Sequence, residues 1–232
     1  METKNIAVIG ASKGIGLALV QKLAQQGHQV LATYAQTLPT FEHQNVKWQS
    51  YSISEDQLLE IPEVLDGLVY CPGTISLKPF NRFGTTDFLS DYQLQVVGAV
   101  QAIQNVLPAL KKSAQASVVL FSTVAVQQGL PFHSLVSASK GAIEGLTRAL
   151  AAEFAPKIRV NAIAPSLTNT PLAENLLNSD AKREANAARH PLKRVGEPTD
   201  IANMATFLLN DESSWMSGQI LHVDGGISTL RV

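Results

Sequence analysis

A single cysteine, Cys71, stands in 232 residues. One thiol excludes an internal disulfide framework and a multi-cysteine zinc site, and it fits a reducing cytoplasm. Charge is scarce too: 16% of the residues are Asp, Glu, Lys or Arg, against roughly 25% in an average soluble domain. The 18 basic and 19 acidic side chains leave a net charge of −1, without the basic surplus that a nucleic-acid binder working through bulk electrostatics needs. Long apolar runs are missing as well. Tyr92–Leu110 and Ser113–Ser139 carry no formal charge, but Gln, Gly and Pro interrupt both, so neither reads as a membrane span of about 20 apolar residues. The opening Met1-Glu2-Thr3-Lys4-Asn5 leads into a short apolar run ending at Gly10, and no targeting segment is expected. His28, His43 and His222 fall at no metal-ligand spacing, so no metal is expected.

What is present is core: 45% of the residues are hydrophobic, with no linker, repeat or low-complexity tract. Short Val/Ile/Leu-rich runs predict strands at Asn5–Gly10, Gln29–Tyr34, Val46–Tyr51, Gly67–Tyr70, Ser117–Ser122, Ile158–Ile163 and Ile220–Val223. The runs are continuous rather than alternating, as in parallel strands covered on both faces. Helix-period segments lie between them at Ile15–Gln26, Asp87–Leu110, Ser134–Phe154, Pro171–Arg189 and Thr199–Asn210. Ala35–Asn45 is too short for a full crossover helix and contains Pro39, which predicts a loop or a single turn. The alternation implies an α/β fold: a single Rossmann-type doubly wound domain over residues 1–232, with a parallel sheet of about seven strands.

Directly after the first strand comes Gly10-Ala11-Ser12-Lys13-Gly14-Ile15-Gly16, which opens a helix. Missing Cβ atoms there let the backbone approach a pyrophosphate, and the helix N-terminus supplies N–H donors and a dipole. This G-x-x-x-G-I-G spacing resembles the phosphate loop of the short-chain dehydrogenase/reductase family. The likeness runs along essentially the whole chain: Asp66-Gly-Leu-Val-Tyr-Cys-Pro-Gly73, Arg159-Val-Asn-Ala-Ile-Ala-Pro165, His190-Pro-Leu-Lys-Arg-Val-Gly-Glu-Pro198 and Ser217-Gly-Gln-Ile-Leu-His-Val-Asp-Gly-Gly226 follow in the family's order.

The resemblance implies a bound nicotinamide dinucleotide, lined by Gly10, Ser12, Ile15 and Gly73, with Ile163 and Thr170 holding the carboxamide. Ser166 replaces the family's Gly after Pro165, which restricts the backbone locally. A carboxylate at the end of the second strand would bind the 2′-hydroxyl of NAD and repel a 2′-phosphate. The chain has Thr33, Tyr34, Ala35 and Gln36 there and a cation, Lys13, in the phosphate loop. NADP(H) is therefore favoured over NAD(H). The family's adenine-contacting Asp falls on Ser52.

The catalytic set departs from the pattern. The family uses a strand-five Ser, a Tyr thirteen residues later and a Lys four residues after the Tyr. Lys140 matches, but Val136 stands four residues before it, Thr123 takes the Ser position, and Gln95 takes that of the helix Asn three residues before Gly98. None of Tyr34, Tyr51, Tyr70 and Tyr92 lies near Lys140 in sequence. His133 lies seven residues before Lys140, so two turns bring it to within about 20° of the same helix face. Some enoyl reductases of the superfamily hold their Tyr at this spacing, and imidazole titrates near neutral pH. The functional expectation is hydride transfer to or from a carbonyl, alcohol or enone, with His133 as proton donor, Thr123 polarising the oxygen and Lys140 anchoring the nicotinamide ribose. Two alternatives stay open: His133 merely caps a helix, or the protein is a non-catalytic NADP(H)-binding regulator or scaffold.

Lys182–Arg194 holds five basic residues and one Glu where the family has a mobile lid, which suits an acidic or phosphorylated substrate, including an acyl thioester, or simply a solvated helix face. Cys71 is expected to pack. Ile75, Thr123, Phe132, Leu167 and Leu172 are the expected pocket residues, for a small-molecule substrate and with no membrane partner. The family resemblance implies a homodimer or homotetramer.

Overall fold

The computed structural model describes residues 2–53 and 58–231. Strands β1 (Asn5–Ile9), β2 (Gln29–Tyr34), β3 (Val46–Ser50), β4 (Gly67–Tyr70), β5 (Ala116–Phe121), β6 (Ile158–Pro165) and β7 (Ile220–Val223) form one parallel sheet in the order β3-β2-β1-β4-β5-β6-β7. The helices are α1 (Gly14–Gln25), α2 (Thr85–Tyr92), α3 (Gly98–Leu110), α4 (Ser134–Phe154), α5 (Glu174–Leu177), α6 (Asp180–Arg189) and α7 (Pro198–Leu209). The strand order reverses between β1 and β4, and in open α/β sheets ligands bind beyond the strand C-termini at such a switch point.

Helices cover both faces of the sheet, which explains the continuous apolar strands. Ala7, Ile9, Leu68, Val118 and Leu120 join one core with Ala102, Ile103 and Val106 of α3 and Ile143 of α4. Ile6, Val8, Val69 and Val119, the alternate residues, join a second core with Leu19 and Leu23 of α1 and Ala205 and Leu208 of α7. The seven predicted strands and three of the five helices lie within two residues of the observed bounds, and no helix forms between β2 and β3.

The other two predicted helices are broken. Pro171–Arg189 is a 3₁₀ turn (Pro171–Ala173), then α5, then α6. The break falls at Ser179, whose extended backbone lets its side chain accept from Lys182 N and cap α6, the usual N-cap role of serine. Asp87–Leu110 begins earlier, at Thr85, and a π turn at Gln93–Val97 divides it. Across that turn the Gly98 N–H reaches back to the Gln93 carbonyl, and the Leu94 carbonyl accepts from the Tyr70 hydroxyl at 2.6 Å. A Cβ at Gly98 would overlap that hydroxyl and press on Ile53. Gly98→Ala is therefore expected to destabilise the fold by about 1–3 kcal/mol, as overpacking does. A urea titration should show a lower midpoint at an unchanged slope.

The Arg159-Val-Asn161 segment of β6 is structural. Arg159 donates to the Leu208 and Asn210 carbonyls at the end of α7 and to Ser213. Asn161 bridges Met216 O and Gln219 N. Among the described residues no helix is long and apolar enough to cross a membrane.

Candidate active site

A cleft of about 610 Å³ opens where β1, β4, β5 and β6 end. Gly10, Lys13, Gly14, Ile15, Gly16, Gly73, Gln95, Thr123, His133, Lys140 and Thr170 all line it, as do Ile75, Leu167 and Leu172. Four expected residues do not. Ile163 is 0% exposed, its side chain is in the core, and its carbonyl is taken by the Ser122 N–H; the cleft meets β6 only from Pro165 onward. Thr33 is 1% exposed and accepts from Gly10 N at 3.0 Å, so it braces the glycine turn from behind. Ser12 is half-buried in the turn but outside the lining, and Phe132 is turned to solvent.

The glycine turn is tight for identifiable reasons. Gly10 has φ 73°, and a Cβ there would sit 2.9 Å from the Pro72 ring. A Cβ at Gly16 would sit 2.5 Å from the Gly10 carbonyl oxygen, so α1 starts directly against the turn. No side chain caps α1, which leaves its first-turn N–H groups for an anion.

Lys140 lies on α4 and is buried. The point a Cβ would occupy at Gly73 is 3.7 Å from Lys140 Nζ and 3.4 Å from Gln95 Oε1. Gln95 is 0% exposed, on the π turn, and donates through Nε2 to both Asp91 carboxylate oxygens at 2.8 Å. Its Oε1 is buried with no partner among the described residues. Asp91 also accepts from Ser139 at 2.6 Å and Thr74 at 2.5 Å. Burial pulls Lys140 down to about 8, against the opposing pull of Asp91 and then Cys71. Burial likewise pushes the Cys71 thiol, which lines the cleft, up to about 12, so it stays protonated. Asp91, Ser139 and Thr74 escaped the sequence reading; the available signal was an acid four residues before Gln95, one helical turn away.

His133 occupies the N-cap position of α4, but its side chain makes no cap bond. Its Nδ1 lies 2.7 Å from the Pro131 carbonyl, which only accepts, so Nδ1 carries a hydrogen and Nε2 is the free ring nitrogen. Phe132 beside it has φ 70°, an outlier for a bulky residue and a sign of a constrained segment. Thr123 Oγ1 accepts from Ala125 N at 3.3 Å, which leaves the hydroxyl hydrogen to donate. Val136 is buried and lines the same cleft. Tyr70 is no substitute acid, because burial raises its pKa and its hydroxyl is committed to Leu94.

Of the five basic residues in Lys182–Arg194, only Arg189 lines the cleft. Lys182, Arg183, Lys193 and Arg194 bond to Asn175 and Asn178, Asn169, Ala188 and Asp200. A further polar pair went unnoticed in the sequence: Ser166 Oγ lies 2.8 Å from His190 Nε2, and both line the cleft.

Residues 54–228 match the protein family described as enoyl-(acyl carrier protein) reductase. The chain belongs to this family of short-chain dehydrogenases and reductases. It is 32% identical over 241 residues to a tropinone reductase homolog of Datura stramonium, covering 94% of this chain and 90% of that protein. To the 3-oxoacyl-[acyl-carrier-protein] reductase FabG of Thermotoga maritima it is 32% identical over 244 residues, covering 98% of each. The ligand-free aldohexose dehydrogenase of Thermoplasma acidophilum superimposes with a TM-score of 0.90 at 26% identity, over 99% of this chain and 96% of that one. As a short-chain dehydrogenase/reductase the protein is an oxidoreductase that works with a nicotinamide dinucleotide. The site fits that group: α1 is uncapped, which leaves its first-turn N–H groups for a pyrophosphate, and Gln95 Oε1 is an orphaned acceptor beside Gly73, where Lys140 Nζ also lies.

Proposed function

We propose that the protein is an NADP(H)-dependent reductase or dehydrogenase of a small carbonyl, alcohol or enone, with His133 as the proton donor in place of a tyrosine. The observation that carries this reading is the set of groups on one cleft: Lys13, Lys140, Thr123 and His133 all line it, and no Asp or Glu does among the described residues. Lys13 is exposed at the N-cap of α1, where its charge favours a 2′-phosphate. An acid-free wall leaves that charge uncancelled. Gly10, Gly14 and Gly16 would receive the pyrophosphate, Thr170 the carboxamide and Lys140 the nicotinamide ribose.

A nicotinamide held there supplies or accepts a hydride. Thr123, its oxygen already accepting from Ala125, directs its hydrogen at the substrate oxygen and stabilises negative charge as it develops. His133 in its imidazolium form gives the Nε2 proton to that oxygen while the Pro131 carbonyl keeps the ring oriented through Nδ1. In the oxidising direction Nε2 takes the proton back. Leu167, Leu172 and Val136 provide an apolar wall, which excludes water and strengthens the charge–dipole contacts.

Lys13→Ala is expected to weaken NADPH binding about tenfold, by loss of a charge-assisted phosphate contact, and to leave NADH affinity within about twofold. The activity itself is tested by following NADPH oxidation over a panel of ketones, quinones and enones with wild type and His133→Ala side by side. Turnover by wild type that the variant lacks supports the reading. Turnover equal in both removes His133 from the mechanism.

A further inference from the structure

The cleft is lined by three cations, Lys13, Lys140 and Arg189, and by no carboxylate among the described residues. Under the proposed NADP(H) reductase function, on which the following rests, Lys13 and Lys140 serve the dinucleotide. Arg189 is the surplus cation, and the structure shows how it is placed. His190, the next residue, is 3% exposed. Its Nδ1 donates to the Asn186 carbonyl at 2.8 Å and its Nε2 meets Ser166 at 2.8 Å, which ties the end of α6 to the end of β6. The Asn186 amide donates to the Leu176 and Lys182 carbonyls. That leaves Asn186 Oδ1, to which Arg189 makes only a long contact of 3.5 Å. The four other cations of the segment have partners outside the cleft, Arg194 in an ion pair of 2.5 Å with Asp200. An arginine whose backbone is anchored by a buried neighbour, on the wall of an acid-free cleft and lightly bonded itself, is placed to receive an anionic oxygen group in bidentate fashion.

We propose that Arg189 binds an anionic group of the substrate, a carboxylate or a phosphate, beside the Ser166–His190 pair at the α6 wall of the cleft. The apolar lining that holds the reacting part of the substrate sets no such requirement, so the substrate class is an oxo or hydroxy acid, or a phosphorylated ketone or alcohol.

Two matched probe pairs test this by calorimetry on protein first shown to be saturated with NADPH. One pair is 4-oxopentanoate and 2-pentanone; the other is dihydroxyacetone phosphate and dihydroxyacetone. Failure of NADPH to bind counts against the proposed function and precedes this test. With NADPH bound, the anionic member of at least one pair is expected to bind about tenfold or more tightly than its neutral partner, as a charge-assisted bidentate contact provides. The pair with the larger ratio distinguishes carboxylate from phosphate. Arg189 is exposed, so Arg189→Gln is not expected to disturb folding, and it should bring the ratio to within about twofold of one. Arg194→Gln, the ion-paired control, should leave the ratio unchanged. Equal affinities in both pairs, no binding by any probe, a preference that survives Arg189→Gln, or one lost equally in Arg194→Gln overturns the proposal.

Discussion

Replacing His133 with alanine is expected to lower NADPH-dependent turnover about 10²–10⁴-fold, the range a positioned general acid provides, while the dissociation constant of NADPH moves less than about twofold. The split matters because a merely structural histidine would shift both. The ring does not hold α4 through a side-chain cap, so its removal leaves the helix start bonded as before. What is lost is the Nε2 proton, and Val136 offers nothing in its place. The converse substitution sharpens the test. Val136 is buried against the cleft, four residues before Lys140, so Val136→Tyr places a phenol one helical turn from the ammonium. In the His133→Ala background it is expected to restore part of the rate. No loss on His133→Ala, or an equal loss of cofactor affinity, contradicts the assignment.

The second large effect is expected from Asp91→Asn, a residue that touches neither cofactor nor substrate in this account. Asp91 is 5% exposed and takes hydrogen bonds from Gln95, Ser139 and Thr74. It acts on the cleft by holding Gln95 and by opposing the burial that draws Lys140 down to about 8. With the carboxylate gone, that opposition disappears and Lys140 loses its proton at lower pH still. The sign follows directly: the charged lysine binds the ribose, so NADPH affinity in wild type falls as pH rises through about 8. In Asp91→Asn the fall comes earlier, and with a drop of about one pKa unit the variant should bind roughly fivefold less tightly at pH 8. At pH 6 both lysines are charged and the curves converge. The linkage to folding runs the other way: a lysine whose folded pKa lies below its ordinary 10.5 burdens the folded state while charged, so stability rises between about pH 8 and 10.5. Superimposable pH profiles of NADPH binding for wild type and Asp91→Asn would show that Asp91 plays no part at Lys140.

The glycine turn, the sheet and the place of Val136 on the Lys140 helix were all legible in the sequence, because each depends on local spacing or on strands buried on both faces. The misses share a different cause: the deciding partner is remote. The π turn at Gln93–Val97 has the Tyr70 hydroxyl on its Leu94 carbonyl, a contact across 24 positions. The Ser166–His190 pair joins a strand end to a helix end across another 24. Thr33 is expected at the adenosine ribose, at the end of the second strand, but which side its hydroxyl serves depends on the pleat of β2, and the bond from Gly10 N puts it behind the glycine turn and off the cleft. Asp91 borders an uncharged stretch, and only packing against Ser139 of α4 and Thr74 reveals a buried carboxylate that takes hydrogen bonds from three side chains. The serine that breaks the predicted Pro171–Arg189 helix was readable in principle, since Ser179-Asp180 is an N-cap followed by a first-turn acid, but the helical pattern on both sides of it masked the signal.

The most direct measurement is a fluorescence titration of NADPH and NADH into the same preparation of the wild-type protein at pH 7. Saturable binding of NADPH, at least about tenfold tighter than NADH through the Lys13 contact with the 2′-phosphate, is the predicted result. Binding of neither dinucleotide contradicts the account at its root.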